Sequence, residues 1–177
     1  MQFLSDEQLI KIYQNNKDGQ SQIALGILYE RYAKQMLNFF YFSLHYDYGK
    51  AQDFVQDLFV RIIEKNHTFD RNKNFKPWVY RIASNMCKNE FRSIKVIQKY
   101  ADHVIYTSEH FISDNETENM LRICINKLSQ EKRSLIILRF KLKLSIKEIG
   151  EIYECTEGTI KSRLYYATKE LSKFYKG

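Results

Sequence analysis

Two groups of residues in this chain have types and spacings suited to holding a polyanion. Between Arg71 and Lys99 stand eight basic residues and one acid, Glu90. On a helix, Arg81, Lys88, Arg92, Lys95 and Lys99 fall within a narrow sector. Five like charges stacked on one stripe repel each other unless an anion meets them. A phosphate backbone is such an anion, and binding to it weakens steeply with salt. Beside the stripe stand Trp78 and Asn85, with Phe69, Asn74 and Phe75 in or next to the preceding loop. Aromatic and amide groups along a basic track suit unstacked, single-stranded bases. Core packing accounts for Phe69, Phe75 and Trp78, each taken singly, at least as well.

The second group lies in ECTEGTIKSRLYYATKEL, Glu154 to Leu171. Ile160, Leu164, Ala167 and Leu171 form an apolar side. Lys161, Ser162, Tyr165 and Lys169 form the opposite side, with Tyr166 flanking. A helix of this kind fits the major groove: Lys reaches phosphates or guanine edges, Ser bonds phosphate or base, and Tyr packs on sugar or a thymine methyl. An ordinary helical hairpin with a solvated polar face has the same pattern.

Other chemistries find little support. The four histidines (His45, His67, His103, His110) have no metal-ligand spacing. The three cysteines (Cys87, Cys124, Cys155) are scattered, as in a reducing compartment. No phosphate-binding glycine loop or nucleophile grouping appears, so no enzyme activity and no cofactor are expected. MQFLSDEQLI does not read as a signal peptide, and MLNFFYFSL, interrupted by Asn38, is far too short to span a bilayer. These readings point to a cytoplasmic protein without membrane insertion. The net charge of +7 and pI of about 9.2 agree with a nucleic-acid partner without requiring one.

The elements that must position these groups are helical. The 177 residues are 44% hydrophobic and 15% aromatic, with one proline and six glycines, which opposes both disorder and a turn-rich β fold. The reading is all-α: two small helical domains, 1–99 and 118–177, joined by a flexible acidic linker, 100–117. Ser5 and Gln8 form a capping box for a short first helix. The first twenty residues otherwise carry little functional signal. A helix runs from about Ser21 to His45, and YDYGK reads as a turn. Ala51, Phe54, Val55, Leu58, Phe59, Ile62 and Ile63 give the next helix a wide apolar stripe. Its other face carries Asp53, Gln56, Asp57, Val60 and Glu64. After a loop at 66–76, Pro77 suits the first turn of a helix reaching about Lys95 or beyond. Between Tyr100 and Asn119 there are five acids and no Lys or Arg. In the second domain Ser129 can cap a helix carrying Leu135, Ile136, Leu138 and Phe140. Ser145 and Glu148 form a capping box, and Thr156 caps the last helix. The final two helices have helix-turn-helix spacing, with Gly150 where they approach most closely.

Three blocks, AQDFVQDLFVRIIE, FKPWVYRIASNMCKNEFR and LSQEKRSLIILRFKLKLSIKEIGEIYECTEGTIKSRL, resemble in order the extracytoplasmic-function (ECF) sigma factors of bacterial RNA polymerase. The resemblance runs from about Leu28 to Leu171. It implies promoter-directed transcription initiation with core RNA polymerase as partner. Asp53, Gln56, Asp57 and Val60 would bind the polymerase clamp helices. Phe69, Asn74, Phe75 and Asn85, with Trp78 nearby, would capture a flipped base of the single-stranded −10 element. Arg81, Lys88, Arg92 and Lys95 would hold its phosphates. Lys161, Ser162, Arg163, Tyr165, Tyr166 and Lys169 would read the duplex −35 element. The linker would thread through polymerase. Members are often held by an anti-sigma factor, a further expected partner.

Two departures stand out. Asn89 and Glu90 replace an Asp followed by an apolar or aromatic residue. Tyr166 and Thr168 stand where the family often carries Arg. Fewer cations on the groove helix imply weak −35 binding and an accessory recruiting protein. The rival readings are a stand-alone helix-turn-helix transcriptional regulator and an RNA-binding or helical adaptor protein.

Overall fold

The computed structural model describes residues 1–15, 19–100 and 116–176, and the described residues contain no strand. Four helices form the N-terminal unit: α1 (Asp6–Asn15), α2 (Gly19–Ser43), α3 (Tyr48–Lys65) and α4 (Phe75–Tyr100). The C-terminal unit holds α5 (Glu116–Lys127), α6 (Gln130–Ile136), α7 (Ile146–Tyr153) and α8 (Glu157–Lys176). Helix α5 begins at Glu116, inside the expected linker. Residues 101–115, most of that linker, lie outside the described residues, as does the side chain of Lys95.

Local signals set most helix starts. Ser5 and Gln8 bond reciprocally, at 2.8 and 3.2 Å, ahead of α1. Asp47 caps α3 by accepting from the Lys50 N–H at 2.9 Å. Ser145 and Glu148 complete their capping box on α7. Each satisfies donors that a helix start leaves unpaired. Ser129 precedes α6 as expected, but its hydroxyl makes no capping bond.

The stripe of α3 buries Ala51, Val55, Leu58, Phe59 and Ile62 against α2 and α4. Ile63 belongs on the other side: it is exposed, because a 100° step from Ile62 carries it past the edge of the buried sector. Phe140 is also exposed. The chain widens into a π turn over Ile137–Lys141, which shifts the helical phase and turns Phe140 out of the core.

The two units pack against one another. Leu135, Ile137, Leu138, Ile149 and Ile152 belong to the same buried cluster as Phe39, Leu58 and Tyr80. Helix α4 lies against α6 and α7, and α2 lies against α6 and the π turn. At the centre of this contact is Arg133, 3% exposed. Its guanidinium donates to the carbonyls of Asn126 and Leu128, at 2.7 and 3.3 Å, and of Ser43, at 3.4 Å. It also lies over the Phe91 ring at 5.2 Å and 3.1 Å from His45 Nε2.

His45 is held neutral there. Burial first, then the nearby Arg133 charge, lowers its pKa to about 4 against the ordinary 6.5, while a bond to Asn126 opposes them. With the folded pKa lower, the unfolded chain binds the proton first as pH falls. This contribution is therefore complete above about pH 6.5 and lost as pH drops toward 4. The ring is only half-buried, so screening reduces the effect to about 1–2 kcal/mol. The melting temperature should fall across that window, and His45→Asn should flatten the fall. Asn suits this position because φ is 58°.

Candidate nucleic-acid interface

The −10 candidates sit on the loop after α3 and on α4. Helix α1, which sequence patterning left without a role, holds this loop. Gln14 Nε2 donates to the carbonyls of Asn66 and Phe69, at 2.6 and 3.3 Å. The Phe75 N–H donates to the Glu7 carboxylate at 3.0 Å, which caps the start of α4. Arg71 reaches Gln14 and Asn15. These contacts join residues more than fifty positions apart in the chain, so no local pattern could signal them.

Phe69, Phe75 and Trp78 are 4%, 1% and 8% exposed, and their rings pack on each other with centroids 5.3–5.8 Å apart. They form a wall of the core and offer no open stacking face. Burial of this large aromatic area holds the loop in place. Asn74 and Asn85 are exposed beside that wall. Lys88 and Arg92 extend from α4 into solvent, whereas Arg81 is half-buried and paired with Glu154. Glu90, one of the departures, pairs with Lys50 at the start of α3.

The helix-turn-helix follows directly from its sequence. Helix α7 ends at Glu154 in the left-handed region, φ 51°, and Cys155 N–H donates to the Gly150 carbonyl at 3.0 Å. A Cβ on Gly150 would stand 2.9 Å from the Cys155 carbonyl oxygen. Gly150→Ala should therefore lose about 1–2 kcal/mol in urea unfolding, a clash only partly offset by better helix propensity. Gly158→Ala is the control. Its Cβ would meet only Thr156 Oγ1, at 3.8 Å, and stability should hold or rise.

Thr156 caps α8, accepting from Thr159 N–H at 3.3 Å. Ile160, Leu164 and Ala167 are buried, and Lys161, Ser162, Arg163, Tyr165, Tyr166 and Lys169 all face solvent. Tyr165 and Tyr166 meet edge to face at 5.4 Å, and Lys169 stands over Tyr165 at 5.8 Å. The Thr168 hydroxyl bonds back to the carbonyls of Leu164 and Tyr165, so it is turned onto its own helix. Lys132 and Lys173, not singled out from sequence, line the groove between α6 and α8 beside Arg163 and Lys169.

On α3 the face of Asp53, Gln56, Asp57 and Val60 is open to solvent, with Val60 52% exposed. Ile63 widens this patch, and Tyr29 of α2, ring to ring with Phe59 at 4.7 Å, borders it. Among the described residues, no three His, Cys, Asp or Glu side chains gather as metal ligands. No helix among them is long and apolar enough to cross a membrane.

Comparison with known proteins matches this geometry piece by piece. Sigma-70 region 2 matches residues 28–96, and sigma-70 region 4 matches residues 124–173. The ECF RNA polymerase sigma factor SigW of Bacillus subtilis is 30% identical over 141 residues, covering 70% of this chain and 74% of that protein. The chain is an ECF RNA polymerase sigma factor. The RNA polymerase sigma-H factor of Pseudomonas aeruginosa is 25% identical over 95% of this chain and 92% of its own length. Among solved structures, the sigma factor RpoE of Bartonella quintana, in complex with the anti-sigma factor NepR, matches with a TM-score of 0.61 at 25% identity. It covers 84% of this chain and 96% of that one. CnrH, in complex with the cytosolic domain of CnrY, shares the fold with a TM-score of 0.67 at 22% identity over 95% of each chain. In this sigma factor, region 2 spans the α2–α4 bundle and region 4 spans most of α5 through α8.

Proposed function

We propose that this sigma factor docks core RNA polymerase through the α3 face and reads promoters with two separate surfaces. Asp53, Gln56 and Asp57 ring an exposed Val60, a polar rim around an apolar centre, as suits a protein interface. Asn74 and Asn85 capture an unstacked base of the −10 element, and Phe69, Phe75 and Trp78 hold their loop from behind. Arg81, Lys88, Arg92 and Lys95 hold the phosphates. Opening costs a few kcal/mol per base step, and base capture offsets part of it. Lys161, Ser162, Arg163, Tyr165, Tyr166 and Lys169 enter the −35 major groove. The chain supplies recognition and strand opening, in the cytoplasm, while bond making belongs to polymerase. An anti-sigma protein is a further partner, since the Bartonella relative is held by one.

The observation that carries this reading is that three helices of one chain expose distinct polar sets: Asp53, Gln56 and Asp57 on α3, Lys88 and Arg92 on α4, and Lys161, Ser162, Arg163, Tyr165, Tyr166 and Lys169 on α8. The test mixes the protein with sigma-free core polymerase and a pool of promoter fragments, and maps transcript starts. Specific starts should appear and should fall at least tenfold on Asp57→Arg, with the variant's melting curve unchanged. Operator binding in the absence of core, with no new starts, would favour the stand-alone regulator.

Groove-helix affinity is set low. With Thr168 turned inward, Lys161, Arg163, Lys169 and Lys173 supply its outward cations. An accessory protein that recruits the chain to promoters follows from this reading. Nanomolar binding of the free chain to a −35 duplex at physiological salt would contradict it.

A further inference from the structure

Helix α1 lies ahead of residues 28–96, the stretch that matches sigma-70 region 2. Its side chains nevertheless hold the loop between α3 and α4 at both ends. Gln14 Nε2 donates to the carbonyls of Asn66 and Phe69, and Gln14 Oε1 accepts from Arg71 Nε at 2.8 Å. One amide therefore ties three loop residues. Asn15 Oδ1 takes a second branch of the Arg71 guanidinium at 2.5 Å. At the far end, Glu7 Oε1 accepts from the Phe75 N–H, one of the donors that the start of a helix leaves unpaired. Glu7 and Gln14 are two turns apart in sequence, so they share a face of α1, about 10.5 Å apart along its axis.

The helix that carries them is itself fixed. Leu9 and Ile10 are fully buried. Asp6 accepts from Arg31 at 2.6 Å and from the Tyr32 hydroxyl at 2.5 Å. The Tyr32 ring in turn meets Phe75 edge to face at 5.4 Å. Asp6 and Glu7 thus grip the first residue of α4 from two sides, one through the Tyr32 ring and one through the backbone. Within the loop, Asp70 makes a turn of its own, its carboxylate accepting from the Asn72 N–H at 3.0 Å and its carbonyl from the Lys73 N–H at 2.9 Å. Asn72, Lys73 and Asn74 remain exposed between the two attachments. A loop that becomes ordered only on binding loses conformational entropy at that moment, and affinity falls accordingly. The reach of Asn74 is set by the backbone from Phe69 to Phe75, and α1 bonds to both ends of that span.

We propose that α1 belongs to the base-capture apparatus: Glu7 and Gln14 are positioning residues that hold the 66–75 loop in the shape that presents Asn74, beside Asn85 of α4, to an unstacked −10 base. This rests on the proposed −10 assignment of Asn74 and Asn85. Glu7 and Gln14 act through the loop rather than on DNA. Their loss slows strand opening and leaves polymerase docking through α3 and groove reading by α8 as they were.

The test uses the full chain with core polymerase, on a promoter fragment that gives specific starts with the parent. Fluorescence of 2-aminopurine placed upstream of the mapped start reads the opening rate. Glu7→Ala with Gln14→Ala should slow opening about tenfold or more on duplex DNA, with closed-complex affinity unchanged. On a pre-melted template the loss should shrink to about twofold or less. Adding Asn85→Ala to the alanine pair should cost less than about twofold more, because both changes strike one step, a coupling that a merely structural role does not give. Glu7→Gln, which still offers an oxygen to the Phe75 N–H, should open within about twofold of the parent. Gln14→Glu keeps the size and the Arg71 bond but turns a carboxylate on both carbonyls. It should open slowly by itself, and it carries the test if the alanine pair does not fold. Opening at the parent rate by Gln14→Glu and by a folded alanine pair would overturn the inference. So would equal slowing on duplex and pre-melted DNA, or slowing that multiplies in full with that of Asn85→Ala. Absence of specific starts in the parent would overturn the proposed function instead. A parent indifferent to Asn85→Ala would remove the −10 assignment, and this inference with it.

Discussion

Replacing Arg133 with alanine is expected to cost about 3 kcal/mol of stability, with a fall in melting temperature of roughly 6–12 °C for a chain of this length. The side chain is buried and pairs with no carboxylate among the described residues. Its charge is balanced by the carbonyls of Asn126, Leu128 and Ser43 and by the Phe91 ring face. Desolvation lowers its pKa to about 10, and it remains charged at neutral pH. Truncation leaves three carbonyls without their donor and opens a void between α2, α4 and α6. Arg133→Lys should recover only part of the loss, since a point charge cannot span the forked set of acceptors. A second readout is specific to the geometry. Arg133 helps to hold the His45 pKa near 4, so the His45 ring should titrate at higher pH in the alanine variant, by NMR. An unchanged His45 titration would show that the guanidinium does not stand where the structure puts it.

Reversing Lys88 and Arg92 together to glutamate is expected to weaken open-complex formation by about 2–3 kcal/mol, or roughly 30- to 150-fold at physiological salt. Both side chains are exposed on α4, so thermal stability should move by no more than about 0.5 kcal/mol. Each lost contact with a single-stranded phosphate removes about 0.7 from the slope of log affinity against log salt, so the pair should flatten it by about 1.4. A pre-melted template should rescue the double variant only partly, because it still lacks the phosphate contacts. Asn85→Ala, in contrast, should be rescued well, because its defect lies in capturing a base as the duplex opens. A double variant with an unaltered salt slope would remove Lys88 and Arg92 from the DNA track.

Much of the fold was legible because its signals are local. The Ser5, Ser145 and Thr156 caps all span three residues, and each forms the expected bond. The exposed face of α8 and the buried stripe of α3 follow from helical periodicity, with the single slip at Ile63. Phe140 was misplaced because a π turn changes the period, and the run ILRFK carries no residue type that marks one. For the −10 candidates, residue types could not separate the exposed amides Asn74 and Asn85 from the buried rings Phe69, Phe75 and Trp78. An aromatic residue beside a basic stripe reads alike whether it faces a base or the core. Only the packing of α1 and α2 on the loop distinguishes the two.

By itself, then, the amino-acid order determined a helical protein with a basic track, an acidic face and a last helix with one polar, exposed side, because caps, heptad-scale periodicity and charge stacking act over a few residues. Tertiary structure alone decided that Arg133 is a buried joint, that Glu7 and Gln14 hold the loop ahead of α4, and that Glu148, Glu151 and Glu154 meet Lys76, Asn74 and Arg81. Those contacts join positions fifty to ninety residues apart. Charges at that separation carry no mark of their partners until packing brings them within a few ångströms, where Coulomb attraction and hydrogen bonding become strong enough to choose.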